Sequence, residues 1–343
     1  SADANQGKID ANYTLQELNS LNSTIVVDTS KTPDFATVSG NNGIKIDYDG
    51  NMLASNLGDG TNGIYAAEDD LGTSYYFRGN VTNNYVKFAN YYWRIIRING
   101  DGSIRMIYAG TSAHPNGYND SSNNDNVYVG YMYGTVGAST YDETHANINY
   151  STIKTVVDSW YDTNIVNTDN EKYVADAIYC NDRKVINIDN VDGMTLTGNG
   201  TGTSNSAYAG FDRGYVSHKP SLKCENKNDR FTVNNTIGNM ALSFPIALAT
   251  SDELMYAGGV GVDLTTMTFI ANDEFYLCTN NFYWTMTSFA FAGGRALVDS
   301  VGDGGILGRS NVGSDFGVRP VVSLRPDAIT GGDGTMNNPF TVG

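Results

Sequence analysis

The sequence predicts an α+β protein with short antiparallel strands, two helices and long irregular loops. Glycine (38 residues) and tyrosine (23 residues) are abundant among its 343 residues, and such a composition favours turns and short strands. Residues 84–110 alternate apolar and polar positions on both sides of Asn99-Gly100-Asp101-Gly102, which is the pattern of a β-hairpin. Helical periodicity is limited to a few short segments. The hydrophobic content of 40% is enough for a core.

The first 60 residues are expected to form an N-terminal appendage. Residues 12–27 begin with a helical period of leucines and end in a β-branched run. Residues 44–54 alternate around Asp49-Gly50, which predicts a hairpin. We therefore expect residues 1–60 to be partly helical and then a hairpin, and residues 61–343 to form the main domain.

Three arginines lie within the hairpin at residues 84–110. Arg94, Arg97 and Arg105 interrupt its apolar residues. We expect them to face outward, as charged groups on strand surfaces usually do.

Helices are predicted in the middle of the main domain. Residues 150–165 have Ser151 as a candidate N-cap and apolar residues on one helical face. Residues 171–179 suit a second, shorter helix. A further helical turn is expected from Ser251, with Gly258-Gly259 ending it. Between these segments, residues 185–215 are rich in Gly, Asn and Thr and predict a loop.

The segment 281–324 has apolar ends and a polar middle. In residues 295–301, the side chains of Ala296, Val298 and Val301 are expected to face inward. Arg295, Leu297 and Asp299 would then lie on the opposite face of the strand.

Charge and hydropathy limit the partners of the chain. The net charge of −16 argues against nucleic acid or an anionic membrane as a partner, although the solubility of a secreted protein explains it equally well. No apolar run approaches the roughly 18 residues of a membrane span. The chain starts at Ser1 without a signal peptide pattern, so we expect membrane attachment only through an N-terminal anchor that precedes Ser1.

The three cysteines predict one disulfide. Cys180 and Cys224 lie in similar polar surroundings, and a bond between them would close a loop of about 44 residues, worth about 4 kcal/mol in the chain-entropy model. Cys278 would remain as a buried thiol in a strand. No CxxC spacing is present, which argues against zinc or thioredoxin-type chemistry.

No set of catalytic residues is evident, and we expect no enzyme activity. His114, His145 and His218 are far apart in polar segments, which predicts exposed loop positions. The acidic pairs Asp69-Asp70 and Asp252-Glu253 have no evident apolar pocket that would separate their pKa values. We expect no cofactor, although the Asp-Gly turns could hold a structural calcium ion.

Five segments of the chain resemble a family of bacterial surface proteins. These segments are GIYAAEDDLGTSYYFRGNV, WRIIRINGDGSIRMIY, FPIALATSDELMYAGGV, YWTMTS and GVRPVVSLRPDAITGGDGTMNNPF. They are similar to the variable proteins of diversity-generating retroelements, which have a C-type-lectin-like domain, and more distantly to the formylglycine-generating-enzyme domain. The resemblance covers about residues 60–343, and the YWTM and GVRP segments are its most specific part.

The resemblance implies a non-enzymatic ligand-binding or receptor-binding protein at the bacterial cell surface. Location on a pilus or on a phage is also compatible with the resemblance. Its ligand would be an external protein or glycan on a target cell or phage host. The variable display region would span about residues 285–316 on a fixed frame. The display positions are Ser288, Phe289, Ala290, Ala292, Gly294, Arg295, Leu297, Asp299, Ser300, Gly302, Arg309, Ser310, Asn311, Ser314 and Asp315.

Phe289, Arg295 and Leu297 are expected to be exposed and to dominate binding, because aromatic and arginine anchors dominate interfaces. The calcium-binding tripeptides of glycan-binding C-type lectins are absent, and the only similar tripeptide, His114-Pro115-Asn116, lies far from the terminal strands. The cysteine pair of the formylglycine-generating relatives is also absent. Three alternatives remain open: a pilin-like or cell-wall-anchored adhesin subunit of fixed specificity, an oxidase or hydrolase of the formylglycine-generating type, and a structural domain in which residues 287–316 form an ordinary loop.

Overall fold

The structure is a computed structural model. It describes residues 7–9, 27–28, 44–46, 52–53, 63–110, 123–191, 193–262, 269–271 and 275–343. In these parts of the chain it has four α-helices: α1 (Tyr141–Thr144), α2 (Thr152–Asn164), α3 (Ala209–Tyr215) and α4 (Ser251–Ala257). Short 3₁₀ turns occur at Asn126–Val129, Glu171–Tyr173, Lys227–Asp229 and Asp303–Gly305.

Strands dominate the described residues. They are β1 (Gly7–Ile9), β2 (Val27–Asp28), β3 (Ile44–Ile46), β4 (Met52–Leu53), β5 (Gly63–Asp69), β6 (Gly72–Arg78), β7 (Tyr85–Phe88), β8 (Tyr91–Ile98), β9 (Ile104–Tyr108), β10 (Met132–Tyr133), β11 (Asn149–Tyr150), β12 (Tyr179–Cys180), β13 (Val185–Ile186), β14 (Ile188–Val191), β15 (Met194–Leu196), β16 (Ser206–Tyr208), β17 (Arg230–Phe231), β18 (Ile246–Ala247), β19 (Val260–Gly261), β20 (Phe269–Ala271), β21 (Tyr283–Ala292), β22 (Arg295–Val301), β23 (Ile306–Asn311), β24 (Val321–Leu324), β25 (Ile329–Gly331) and β26 (Phe340–Val342). The predicted α+β class is confirmed.

Two sheets organise the main domain. The first has eleven strands, and its path runs β18-β24-β9-β8-β6-β5-β1-β2, with β7, β25 and β26 attached beside it. The second has six strands in the order β13-β16-β21-β22-β23-β19. Most pairs within them are antiparallel; β19 with β23 and β7 with β26 are parallel.

The predicted hairpin at residues 84–110 is confirmed as β8 and β9, which pair from Trp93 with Tyr108 to Ile98 with Ile104. The expectation that its arginines face outward is wrong, since Arg94, Arg97 and Arg105 are all buried. The register shifts between Ile95 and Arg97, and Arg97 lies opposite Arg105 across the pair. Each of the three arginines donates to a partner inside the protein: Arg94 to Asn84 Oδ1, Arg97 to Asp69 Oδ2 and Arg105 to Ile178 O.

The N-terminal strands belong to two sheets: β1 and β2 join the large sheet, whereas β3 and β4 form a separate three-stranded sheet with β20. Strand β3 pairs with β4, which confirms the predicted hairpin at residues 44–54, and β3 also pairs with β20. Strand β1 pairs with β5 of the large sheet. The predicted helical part, residues 12–21, lies outside the described residues, and the domain boundary near residue 60 stays a prediction.

Helix α2 begins where the sequence predicts. The Ser151 side chain accepts a hydrogen bond from the backbone N–H of Lys154. Ile153 and Val157 lie in the main core. A helix N-cap and a periodic apolar face are local signals, and both were present in the sequence.

The other helical predictions need correction. Residues 171–179 form only a 3₁₀ turn, because Ala175 donates its N–H to Ser323 O on β24 and the chain continues as a strand. Helix α4 has Thr250 as its N-cap instead of the predicted Ser251, so it starts one residue earlier than predicted, and Glu253 completes a capping box. The stop at Gly258 is confirmed.

The prediction of a loop at residues 185–215 is also wrong, because this segment contains β13 to β16 and α3. Its Gly, Asn and Thr residues lie between very short elements rather than in one continuous loop. Helix α3 packs against β21 of the second sheet, so this segment covers part of the predicted display region.

The predicted disulfide is confirmed between Cys180 and Cys224. Disulfides persist outside the reducing cytoplasm, so the bond fits a secreted protein. Cys278 is half-buried and lies outside any strand, contrary to expectation. Within the described residues, none of the helices has the length and apolar character needed to cross a membrane.

Candidate functional site

The predicted display region is a β-hairpin followed by a third strand. Strands β21 and β22 meet at Gly293-Gly294, whose φ angles of 58° and 75° suit a tight two-residue turn. Strand β23 then pairs with β22 from Leu297 opposite Asn311 to Val301 opposite Leu307. The backbone of β22 is therefore paired on both sides, without interruption to β23 and with two register shifts to β21, between Trp284 and Ala290.

The predicted alternation of side chains along β22 is confirmed for residues 295–299. Ala296 and Val298 are fully buried in the main core. Arg295, Leu297 and Asp299 lie on the opposite face, as the two-residue period of a strand requires. Val301 is also buried in the main core, although the same period places it on the face of Asp299.

This opposite face is covered at one end by helix α3. Phe289 stacks on Phe211 with ring centroids 4.3 Å apart and meets Tyr215 edge-on at 5.0 Å. Phe289 is 0% exposed, so the expectation that it is an exposed anchor is wrong. A second apolar cluster, separate from the main core, forms between α3 and the hairpin.

Exposure rises along β22 toward the turn. Asp299 is fully buried, Leu297 is half-buried and Arg295 is exposed. On the neighbouring strand, the Arg309 guanidinium lies 5.6 Å from the centre of the Phe289 ring, and its side chain is half-buried. The open end of the hairpin thus places an arginine and a leucine at the protein surface on a fixed backbone.

The predicted display positions therefore fall into three groups. Ser288, Phe289, Ala290, Asp299, Ser300 and Gly302 are buried; Ala292, Leu297, Arg309, Ser310, Asn311 and Ser314 are half-buried; Gly294, Arg295 and Asp315 are exposed. We call the positions at the open end of the covered face the hairpin surface, namely Ala292, Gly294, Arg295, Leu297, Arg309 and Asn311. Ser310 lies opposite Val298 and so belongs to the other face of the sheet.

The buried display positions have structural partners. Ser288 Oγ donates to Val129 O at 2.7 Å, and Ser300 Oγ donates to Gly308 O at 3.1 Å. Asp299 accepts hydrogen bonds from Tyr215 Oη at 2.8 Å and Ser251 Oγ at 2.6 Å. Burial raises the pKa of Asp299 to about 7, and Asp252 adds to the effect, while the two hydroxyl donors and Arg213 oppose it.

A charged cavity lies between the large sheet and helix α4, and no pattern in the sequence indicated it. Arg97 donates to Asp69 at 2.8 Å and to Glu253 at 3.1 Å, and Arg105 donates to Glu253 at 3.3 Å. Burial by itself would raise the pKa of Glu253, but Arg105 and Arg97 outweigh it and hold the pKa below its ordinary value. Glu253 and Asp69 together balance the charges of Arg97 and Arg105, which lie opposite each other on β8 and β9.

The acidic pairs that seemed unrelated in the sequence meet in this cavity. Asp69, Asp70, Asp252 and Glu253 all line it, together with the disulfide. Its volume of about 30 Å³ suits a water molecule rather than a substrate. Nearby, Arg213 bridges Asp252 at 2.7 Å and Asp182 at 2.6 Å. The charged side chains of the cavity form salt bridges with one another, so we assign the cavity a structural role.

An open groove of about 390 Å³ borders the cavity. Among its lining residues, the acidic side chains Asp182, Asp212 and Glu225 equal in number the basic side chains Lys184, Arg213 and Lys223. No aromatic ring lines the groove, so its chemistry favours no single class of ligand.

Two of the three histidines, His145 and His218, lie within the described residues. His145 is buried, so the expectation of an exposed position is wrong; its Nε2 lies 3.0 Å from Gly200 O. Burial lowers the pKa of His145 well below its ordinary value, and the charge of Arg183 lowers it further. His218 is half-buried, and His114 lies outside the described residues. In the described ranges, no group of three or more His, Cys, Asp and Glu side chains is arranged to hold a metal ion.

Comparisons of the chain with protein-family models, with curated proteins and with solved structures found no match.

Proposed function

We propose that the chain is a non-enzymatic ligand-binding protein of the bacterial surface that uses the hairpin surface to recognise an external protein or glycan. The scaffold would be a C-type-lectin-like domain, and a diversity-generating retroelement would vary the exposed positions. The graded exposure along β22 supports the proposal most strongly: one face of a rigid hairpin runs from fully buried Asp299 to exposed Arg295.

The chemistry of the hairpin surface suits recognition. Arg309 lies over the Phe289 ring, which restricts its rotamers before a ligand arrives. Leu297 and Ala292 are the partly exposed edge of the second apolar cluster. Arginine is one of the residue types enriched in binding hot spots.

The buried display positions limit which residues could vary. Phe289 and Asp299 contact helix α3, so replacements there would disturb packing rather than change specificity. Diversification would therefore be confined to the hairpin surface and to the positions beyond it at Ser310, Ser314 and Asp315.

Sequencing the coding region from many cells of the source population tests the diversification. We expect amino-acid replacements to be concentrated at the hairpin surface and at Ser310, Ser314 and Asp315, and to be rare at the buried residues Phe289, Val298 and Asp299. Replacements spread evenly over residues 281–324 would contradict it.

Binding is tested with the double variant Arg295→Ser/Leu297→Ser. The labelled chain is added to bacterial cells of its natural community, and bound protein is measured by flow cytometry, with protease or periodate pretreatment of the cells to separate protein from glycan ligands. We expect the double variant to lose binding. The control Arg325→Ser/Met336→Ser removes an exposed arginine and an exposed apolar side chain elsewhere, and it should bind like the wild type. If the double variant Arg295→Ser/Leu297→Ser bound as strongly as the wild type, the hairpin surface would be excluded as the binding site.

A further inference from the structure

Asp299 lies where two helices meet the second sheet. Helix α3 contributes Tyr215, whose hydroxyl donates to Asp299 Oδ1 at 2.8 Å, and helix α4 contributes Ser251 at 2.6 Å from Oδ2. From β21, Thr285 Oγ1 donates to the backbone carbonyl of Asp299 at 2.8 Å. The carboxyl group is 0% exposed. Three elements are therefore joined through one buried acid.

The charged neighbours of Asp299 are committed to other partners. On α3, Arg213 is paired with Asp252 of α4 and with Asp182. On β23, Arg309 is the residue opposite Asp299, but its guanidinium lies over the Phe289 ring. Among the described residues, no cation forms a salt bridge with Asp299. An ionised Asp299 would thus be a buried charge with only two neutral donors, which is costly.

The neutral carboxyl group fits this environment better. A proton on Oδ2 can be donated to Ser251 Oγ, and Ser251 can then donate to Thr285 Oγ1 at 3.4 Å. Thr285 in turn donates to the Asp299 carbonyl, while Tyr215 donates to Oδ1. Every hydroxyl in the cluster keeps an acceptor, as it does beside an ionised Asp299, so the neutral form satisfies the buried polar groups without a buried charge.

We propose that Asp299 is a pH-sensitive clamp: its neutral carboxyl group holds helices α3 and α4 on the second sheet, and its ionisation loosens them. Helix α3 covers Phe289 through Phe211, so loosening would uncover apolar surface directly beside the hairpin surface. The clamp does not depend on the identity of any ligand.

The direction of the pH effect follows from proton linkage. Burial raises the pKa of Asp299 to about 7 in the closed state, whereas an opened, hydrated Asp299 would have an ordinary pKa near 3.9. The closed state therefore binds a proton that the open state lacks, and it loses stability as the pH rises from about 4 to about 7. Over this window the opening equilibrium should increase about tenfold per pH unit, and it should level off on both sides.

Amide hydrogen exchange with mass spectrometry tests the clamp on the full chain. Peptides that cover α3 and α4 are followed from about pH 4 to about pH 9, with rates corrected for the intrinsic effect of pH. We expect the protection of the wild type to fall about tenfold per pH unit up to about pH 7 and then to level off. Asp299→Asn imitates the neutral acid and should keep its protection throughout. Asp303→Asn is the control, because it removes an exposed carboxylate four residues further along the chain, and it should behave like the wild type.

The same pH profile in the wild type and in Asp299→Asn would overturn the proposal. Should Asp299→Asn fail to fold, Tyr215→Phe provides a second test, because it removes a donor that favours the ionised form. The pH at which protection levels off should then move upward, and an unchanged profile in this variant would also overturn the proposal.

Discussion

At the scale of single residues, the pattern of a strand determines which side a residue faces but not what it contacts there. Phe289 and Arg295 were both expected at the ligand surface. Phe289 is enclosed by two aromatic rings of helix α3, whereas Arg295 remains exposed beside the turn. The two residues should therefore respond differently to truncation.

Phe289→Ala should lower the free energy of unfolding by about 3–5 kcal/mol, because it leaves a cavity in the second cluster. Arg295→Ser, at an exposed position of the same hairpin, should change it by less than about 0.5 kcal/mol. Urea denaturation followed by tryptophan fluorescence measures both values. A Phe289→Ala protein as stable as the wild type would mean that this ring is not packed.

At the scale of elements, helix α4 is attached to the large sheet by charge as well as by apolar contacts. Glu253 completes the capping box at the start of α4 and also forms salt bridges with Arg97 and Arg105 on the sheet. Removing one partner from such a buried group is expensive, because the remaining charges stay buried without compensation.

Glu253→Gln should destabilise the protein by about 3–5 kcal/mol at neutral pH. Since the pKa of Glu253 is depressed in the folded state, its contribution is present above the ordinary pKa of a glutamate and disappears as the pH falls through the depressed value. Denaturation in acid should therefore show a loss of stability in the wild type that the variant lacks. Glu225→Gln, which affects an exposed ion pair with Lys184, is the control and should have little effect at any pH.

At the scale of the whole molecule, one disulfide links two segments that line the charged cavity. Cys180 and Cys224 are separated by 44 residues, and the loop between them contains β13 to β16 and α3. The bond thus restricts the unfolded chain around the helix that covers the hairpin.

Cys180→Ser/Cys224→Ser should lower the free energy of unfolding by about 4 kcal/mol. Urea denaturation of the oxidised wild type and the double variant gives the difference. Cys278→Ser is the matched control, because Cys278 is half-buried and is not part of the disulfide. A double variant with wild-type stability would show that the loop is held without the bond.

The sequence by itself determined the features that depend on near neighbours in the chain. The β8–β9 hairpin follows from its alternation and its Asn-Gly turn, the start of α2 follows from Ser151, and the two faces of β22 follow from a two-residue period. The pairing of Cys180 with Cys224 was also predictable from their similar surroundings.

Only the tertiary structure decided what covers each face. Because residues 185–215 are rich in glycine, asparagine and threonine, their composition predicted a loop and not helix α3. The burial of Phe289 and Asp299 against this helix could therefore not be predicted. Asp69 and Glu253 are distant in sequence, yet both pair with Arg97, because sheet and helix come together only in the folded chain. Periodicity assigns a side chain to a face; whether that face meets solvent, an apolar ring or an opposite charge depends on which distant segment packs against it.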